Sequence, residues 1–165
     1  AGRDVPVDVT HVVVQLVLAL KYIHTQKVIH RDMKLSNVFV GVDGLFKISD
    51  FGSSKTLTGN DQFAETGIGT PYYTSPEVCE GREYSYPVDV WGAGCIVFEM
   101  VTGHKPFDGK TFAELIRNIL AKEPNLKEVP PDLRNVLKQM FVKNPNHRVT
   151  IDELLQMPEI KAVVR

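Results

Sequence analysis

Between Val12 and Leu20 the chain reads V-V-V-Q-L-V-L-A-L, with Gln15 the single polar residue in nine. So apolar a segment is stable in water only where other elements enclose it. The valines favour a strand locally, but the run is too long for a typical one. Val12, Leu16, Ala19, Leu20 and Ile23 recur at helical spacing and Asp8 is a suitable N-cap, so the pattern predicts a helix through about Thr25. Val13, Val14, Val17 and Leu18 put apolar side chains on the other faces, leaving Gln15, Lys21 and the helix ends for water. The rest of the chain is therefore expected to pack around this helix, with the helix in the middle of a domain.

A chain of 165 residues with 43% apolar and 24% charged residues is long enough, and apolar enough, for one soluble domain with a sizeable core. A formal charge of −1 supplies no basic surface, so neither nucleic acid nor an anionic membrane is expected as a partner. Cys79 and Cys95 are too few for a disulfide framework and lie at no metal-ligand spacing; they are expected as small buried hydrophobes. The apolar runs fall short of the roughly 20 residues that span a bilayer, and no signal-peptide pattern opens the chain. The expected location is intracellular and reducing: cytoplasmic, with nucleus and cytoskeleton included.

Lys27-Val28-Ile29 reads as a short strand. Val38–Val40 and Phe46–Ile48 flank Asp43-Gly44, a strong hairpin-turn signal. Residues 53–73 lack periodicity and read as one long loop, a length at which loops are functional or disordered. Pro87 to Val101 is predicted as a second apolar helix, stopped by Thr102-Gly103. Gly92 and Gly94 inside it each lower helix propensity by about 1 kcal/mol, so another backbone is expected to pack closely there. Phe112–Ala121 and Leu133–Val142 are amphipathic helices separated by breaks at Pro124, Pro130 and Pro131, and Thr150 with Glu153 forms a capping box for a last helix, Ile151 to about Met157. The predicted class is mainly α with a small β hairpin, its strands confined to residues 27–50.

The chemistry concentrates in His30–Asn37, H-R-D-M-K-L-S-N, and in Asp50 just beyond the hairpin. Taken singly, Asp32 is as well explained by a turn-capping aspartate. The spacing of Lys34, Asn37 and Asp50 around it lets all four converge on one point. A hard divalent cation takes oxygen ligands, and an amide with a carboxylate, here Asn37 and Asp50, leaves its other positions to phosphate and water. A carboxylate outside that pair, Asp32, suits proton acceptance from a hydroxyl, and Lys34 suits neutralisation of a transferred anionic group.

Four motifs in order, H-R-D-M-K-L-S-N, D-F-G at Asp50–Gly52, G-T-P-Y-Y-T-S-P-E ending at Glu77 and D-V-W-G-A-G-C from Asp89, resemble the C-terminal lobe of a eukaryotic protein kinase. The resemblance runs from about Asp8 to Leu155. It implies that residues 1–165 are that lobe of a catalytic domain, with an activation segment at 50–77, transferring the γ-phosphoryl of ATP with Mg2+ to Ser or Thr hydroxyls of a protein substrate. By the same resemblance Asp32 is the catalytic base, Lys34 the phosphate-facing lysine, and Asn37 and Asp50 the magnesium ligands. Thr70 contacts the catalytic aspartate and lysine, and Phe39 floors the adenine ring. Glu77 pairs with Arg148 beneath the substrate loop, and Asp89 hydrogen-bonds the catalytic-loop backbone, though a plain N-cap explains Asp89 equally well by itself. Thr66 matches an activating phosphorylation site, served by an upstream kinase or by autophosphorylation, whose phosphate meets Arg31 and Lys55. Lys34 two after Asp32 is the Ser/Thr pattern. Asn37-Val38-Phe39, G-T-P-Y-Y and S-P-E are most similar to the NIMA-related group, while D-F-G-S-S-K is shared with kinases of the MAP-kinase-kinase-kinase type.

Against that pattern, 31 residues precede Asp32, no G-x-G-x-x-G precedes Asp8, and Lys21 and Lys27 lie on or after the first helix. The N-terminal lobe is thus expected to be absent from this chain, with weak ATP affinity as a consequence. Ser75 stands where alanine is usual, Gly92 where serine or alanine is, and Val149 where proline is. The alternative reading is a catalytically inactive kinase-like lobe serving as a docking module through the helices from Phe112 onward. A small-molecule phosphotransferase of related fold would lack S-P-E and its arginine partner.

Overall fold

A computed structural model describes residues 8–40, 46–48, 55–56 and 71–164, with Phe39 and Lys55 among those described by backbone alone. Helix α1 runs Val9–Thr25. Strand β1 (Val28–Ile29), a 3-10 turn at Leu35–Asn37 and strands β2 (Val38–Val40), β3 (Phe46–Ile48) and β4 (Lys55–Thr56) follow. Helices α2 (Pro76–Cys79), α3 (Pro87–Thr102), α4 (Phe112–Ala121), α5 (Pro131–Met140), α6 (Ile151–Gln156) and α7 (Pro158–Lys161) complete the order. The mainly helical expectation holds.

The Asp8 carboxylate caps α1, accepting from the Thr10 N–H at 3.0 Å. Val12, Val13, Leu16, Val17 and Leu20 are all buried, and burial of side chains of this size is worth about 1.5–3 kcal/mol each. They lean on α3, α6 and α7, so α1 does lie inside the domain. Its enclosure is less complete than the residue types suggest: Leu18 is 45% and Tyr22 69% exposed, four residues apart on one face. No helix among the described residues is long and apolar enough to cross a membrane.

The hairpin forms with Val38 opposite Ile48 and Val40 opposite Phe46. Two other features depart from expectation. Residues 55–56, predicted as loop, form β4 and pair antiparallel with β1, Val28 against Thr56, so strands extend beyond residue 50. Helix α5 begins at Pro131 and ends at Met140, not at Leu133 and Val142. Pro131 begins this helix because the first-turn N–H that proline lacks has no helical partner anyway.

The second large apolar helix, α3, is the centre of the core. Trp91 is fully buried, stacked on Phe107 at 5.6 Å and met edge-on by Phe141 at 5.2 Å. Lys143 lies over the Phe107 ring at 5.1 Å and donates to the Ile119 carbonyl, satisfying an acceptor at the end of α4. Gly103, with φ +79°, ends α3 in the left-handed conformation that glycine adopts without cost.

Close approach explains both glycines inside α3. A Cβ on Gly92 would stand 2.6 Å from Cβ of Met33, and one on Gly94 3.2 Å from Cβ of Met140. The first contact brings the 30–37 loop against α3 and decides how deep that loop sits. Gly92→Ala should therefore lower stability by about 1–3 kcal/mol despite its better helix propensity. Urea denaturation checks this; an unchanged or higher midpoint would contradict the close approach.

Candidate active site

The loop 30–37 is held from below by one carboxylate. Asp89, in the first turn of α3 and 1% exposed, accepts the His30 N–H on Oδ2 at 2.8 Å and the Arg31 N–H on Oδ1 at 2.9 Å. Nε2 of His24, near the end of α1, lies 2.8 Å from the same Oδ2. An ionised carboxylate only accepts, so the imidazole nitrogen carries the proton there. Residue 89 thus spends its side chain on the loop and on α1, and the capping alternative is set aside: the N-cap position of α3 is Tyr86, with no side-chain cap. Arg31 sits at φ +72°, a conformation that costs a non-glycine residue of order 1–3 kcal/mol. Its bond to Asp89 helps hold it there.

That strained turn delivers Asp32. Its N–H donates to Nδ1 of His30 at 3.2 Å and its carbonyl accepts from Nδ2 of Asn37 at 2.9 Å, so both sides of its peptide frame are tied. Met33 turns inward to Gly92, which leaves Asp32 and Lys34 turned outward with side chains 35% and 41% exposed. Nζ of Lys34 is 3.6 Å from Oδ2 of Asp32. Asn37 is buried and commits its amide nitrogen to the loop, leaving its oxygen as the acceptor end. The structure brings Asp32, Lys34 and Asn37 together. Asp50, Thr66 and Thr70 lie outside the described residues, as do the side chains of Phe39 and Lys55.

A second buried constellation lies where S-P-E meets the end of the chain. Glu77 and Arg148 form a two-pronged pair, both N–H···O distances 2.8 Å, with side chains 1% and 0% exposed. The remaining guanidinium donors go to the carbonyls of Pro87, Val142 and Lys143, so all five N–H groups are used. The guanidinium lies over Trp91, 5.1 Å from the ring centroid. Val149 keeps an N–H that proline lacks and donates it to the Gln139 carbonyl at 3.4 Å. Ser75 is 3% exposed, and its hydroxyl has no hydrogen-bond partner among the described residues.

Arg31 points elsewhere than Asp89. Its guanidinium lies 5.3 Å from the Tyr84 ring centroid, and Nη1 is buried with no hydrogen-bond partner among the described residues. Burial pushes the Cys79 thiol up to about 12 and Cys95 higher still, which disfavours the thiolate of both at neutral pH. Two residues went unrecognised in the sequence. His24 is one of five histidines, and only its contact with Asp89 distinguishes it. Lys105 is the other, gathered with Glu99, Tyr72 and Tyr73 at the opposite end of α3.

Residues 6–160 match the model of the protein kinase domain. The chain belongs to that family. Among curated relatives it is 37% identical over 145 residues to the serine/threonine-protein kinase Nek1 of Mus musculus, covering 87% of this chain and 12% of the relative. It is 36% identical over 154 residues to mouse serine/threonine-protein kinase Nek5 (92% of this chain, 25% of the relative) and 36% identical over 142 residues to the G2-specific protein kinase nimA of Emericella nidulans (84% and 20%). The likeness is thus to NIMA-related Ser/Thr kinases, and the chain spans a quarter or less of the length of these three.

The two buried features of the S-P-E region predict opposite outcomes. Arg148→Ala leaves Glu77 as an unpaired buried carboxylate and should cost about 3–5 kcal/mol. Ser75→Ala removes a hydroxyl without a partner and should be neutral or stabilising by up to about 1–3 kcal/mol. Thermal unfolding of the two variants beside the parent checks both signs.

Proposed function

We propose that this chain is the C-terminal lobe of a serine/threonine protein kinase that transfers the γ-phosphoryl of Mg-ATP to Ser or Thr hydroxyls of a protein substrate. The observation that carries the reading is Asp32, outward-facing on a backbone tied to His30 and Asn37, with Lys34 beside it. Family membership and the Ser/Thr kinases among its relatives support the same class.

In this reading Asp32 accepts the proton of the substrate hydroxyl while that oxygen bonds to the γ-phosphorus and the bond to the β–γ bridging oxygen breaks, leaving ADP. Lys34 offsets charge on the transferred group. Asn37, whose amide oxygen is of the donor type a hard cation takes, would hold magnesium with Asp50. When bound, the ion supplies charge neutralisation on the phosphates. Thr70 would contact Asp32 and Lys34, and Phe39 would lie under the adenine.

Regulation through the 50–77 segment belongs to the same reading. The buried Nη1 of Arg31, without a hydrogen-bond partner among the described residues, is a donor suited to an anion, and phosphate on Thr66, added by an upstream kinase or by the enzyme itself, is the anion proposed, with Lys55 as a second contact. In the intact enzyme Thr66→Ala should reduce activity at least several-fold; undiminished turnover would remove Thr66 from this role.

The docking-module alternative has one observation in its favour, the 61% exposure of Phe112 at the start of α4. Asp32→Asn separates the two. Assayed on Ser/Thr peptides in the intact protein that carries this chain, the substitution should lower kcat by about 10²–10⁴-fold with the melting temperature unchanged. Full turnover in Asp32→Asn would remove Asp32 from the role of catalytic base, and retention of partner binding with no transfer by the parent protein would favour docking.

A further inference from the structure

Lys105 stands between α3 and α4, and its ammonium meets one carboxylate, one hydroxyl and two aromatic rings. Nζ is 2.6 Å from Oε1 of Glu99, in the last turns of α3, and 3.3 Å from the hydroxyl of Tyr73. It also faces the rings of Tyr73 and Tyr72, 5.0 and 5.4 Å from their centroids. Glu99 is 16% exposed, and its other oxygen is buried with no hydrogen-bond partner among the described residues, so the lysine is the group that compensates this carboxylate. An ion pair, a hydrogen bond and two ring faces converge on a side chain that is itself two-thirds covered.

We infer that Lys105 is a positioning residue for substrate: it clamps Tyr72-Tyr73 to α3 so that the segment entering Ser75-Pro76-Glu77 keeps a fixed relation to Asp32. The inference rests on the kinase reading for the word substrate, and on geometry for the clamp. Asp89 near the start of α3 holds the loop that carries Asp32, and Glu99, ten residues on, holds Tyr72-Tyr73 through Lys105. One rigid rod of roughly 15 Å thus sets both. Because two of its three N–H donors go to Glu99 and Tyr73 and the Glu99 carboxylate offsets its charge, Lys105 is not expected to read an acidic side chain on the substrate. The lysine matters through what it holds.

The test compares Lys105→Met, Lys105→Arg and the double variant Glu99→Gln/Lys105→Met, which removes the ion pair without stranding a carboxylate. The first readout needs no catalysis: exchange of the Thr74 amide, which donates to the Pro71 carbonyl in the clamped turn. Exchange should quicken at least tenfold in Lys105→Met and in the double variant, and stay near the parent rate in Lys105→Arg. The second readout is steady-state phosphorylation by the intact protein: KM for peptide should rise at least fivefold in Lys105→Met, equally for peptides with Asp or Ala beside the phosphoacceptor, with KM for ATP and melting of the double variant unchanged. Unaltered Thr74 exchange in both Met-containing variants would overturn the clamp. A KM increase confined to the Asp peptide would overturn positioning in favour of direct substrate contact. A parent protein that phosphorylates nothing, with exchange responding as stated, would remove the kinase reading and leave the clamp in place.

Discussion

The Asp89 carboxylate is the contact on which the rest of the site depends. It is buried, and a buried anion is tolerated only when its lone pairs are met. Here they are met by two backbone N–H groups of one loop and by a histidine of another helix. Those same bonds hold Arg31 in a conformation it would otherwise leave. The strain is local and the compensation comes from α3, so the turn that presents Asp32 is stable only while the helix beneath it is in register. Gly92 sets that register from the other side, by letting Met33 approach to a distance no Cβ would permit.

Helix α3 is therefore less a packing unit than a frame. Its glycines weaken it as a helix, yet they admit the loop and α5 so closely that the fold gains shape where it loses propensity. Trp91 is the hinge of that arrangement, stacked on Phe107 within the core and covered by the Arg148 guanidinium. The Glu77–Arg148 pair has the same logic. Two buried charges are no more stabilising than well-packed hydrophobes of their size, since desolvation offsets most of their attraction. What they add is direction: five planar donors fix α2, the start of α3 and the 142–148 turn at one point, which apolar side chains would leave adjustable.

What could be read from sequence was whatever is encoded locally. Helix α1 with its Asp8 cap, the Val38–Val40/Phe46–Ile48 hairpin and the Thr150–Glu153 capping box each lie within a few turns of chain, and each was legible from spacing. Strand β4 and helices α2 and α7 were not, because segments of two to four residues carry no period. Leu18 was misjudged for a related reason: residue type says what prefers burial, while only packing says which face receives a partner. At the site, Asp32, Lys34 and Asn37 were legible because six consecutive positions contain them. His24 was not, being 65 residues from Asp89 with nothing in its neighbours to mark it.

Lys105 makes the same point about charge. In sequence it is one of 19 basic residues on a chain of net charge −1, and nothing distinguishes it from a solvated surface lysine. In space it compensates a largely buried carboxylate and faces two adjacent tyrosines. An exposed lysine–glutamate pair is worth little, because water competes for both partners and the side chains must be ordered to meet. Enclosure changes the balance: with Glu99 already largely desolvated, the ammonium is held by the cost of leaving, and the rings that partly cover it are those of the segment it retains. Order in Tyr72-Tyr73 and order in Lys105 are then one property, which is why the end of α3 can act on that loop through side chains alone among the described residues.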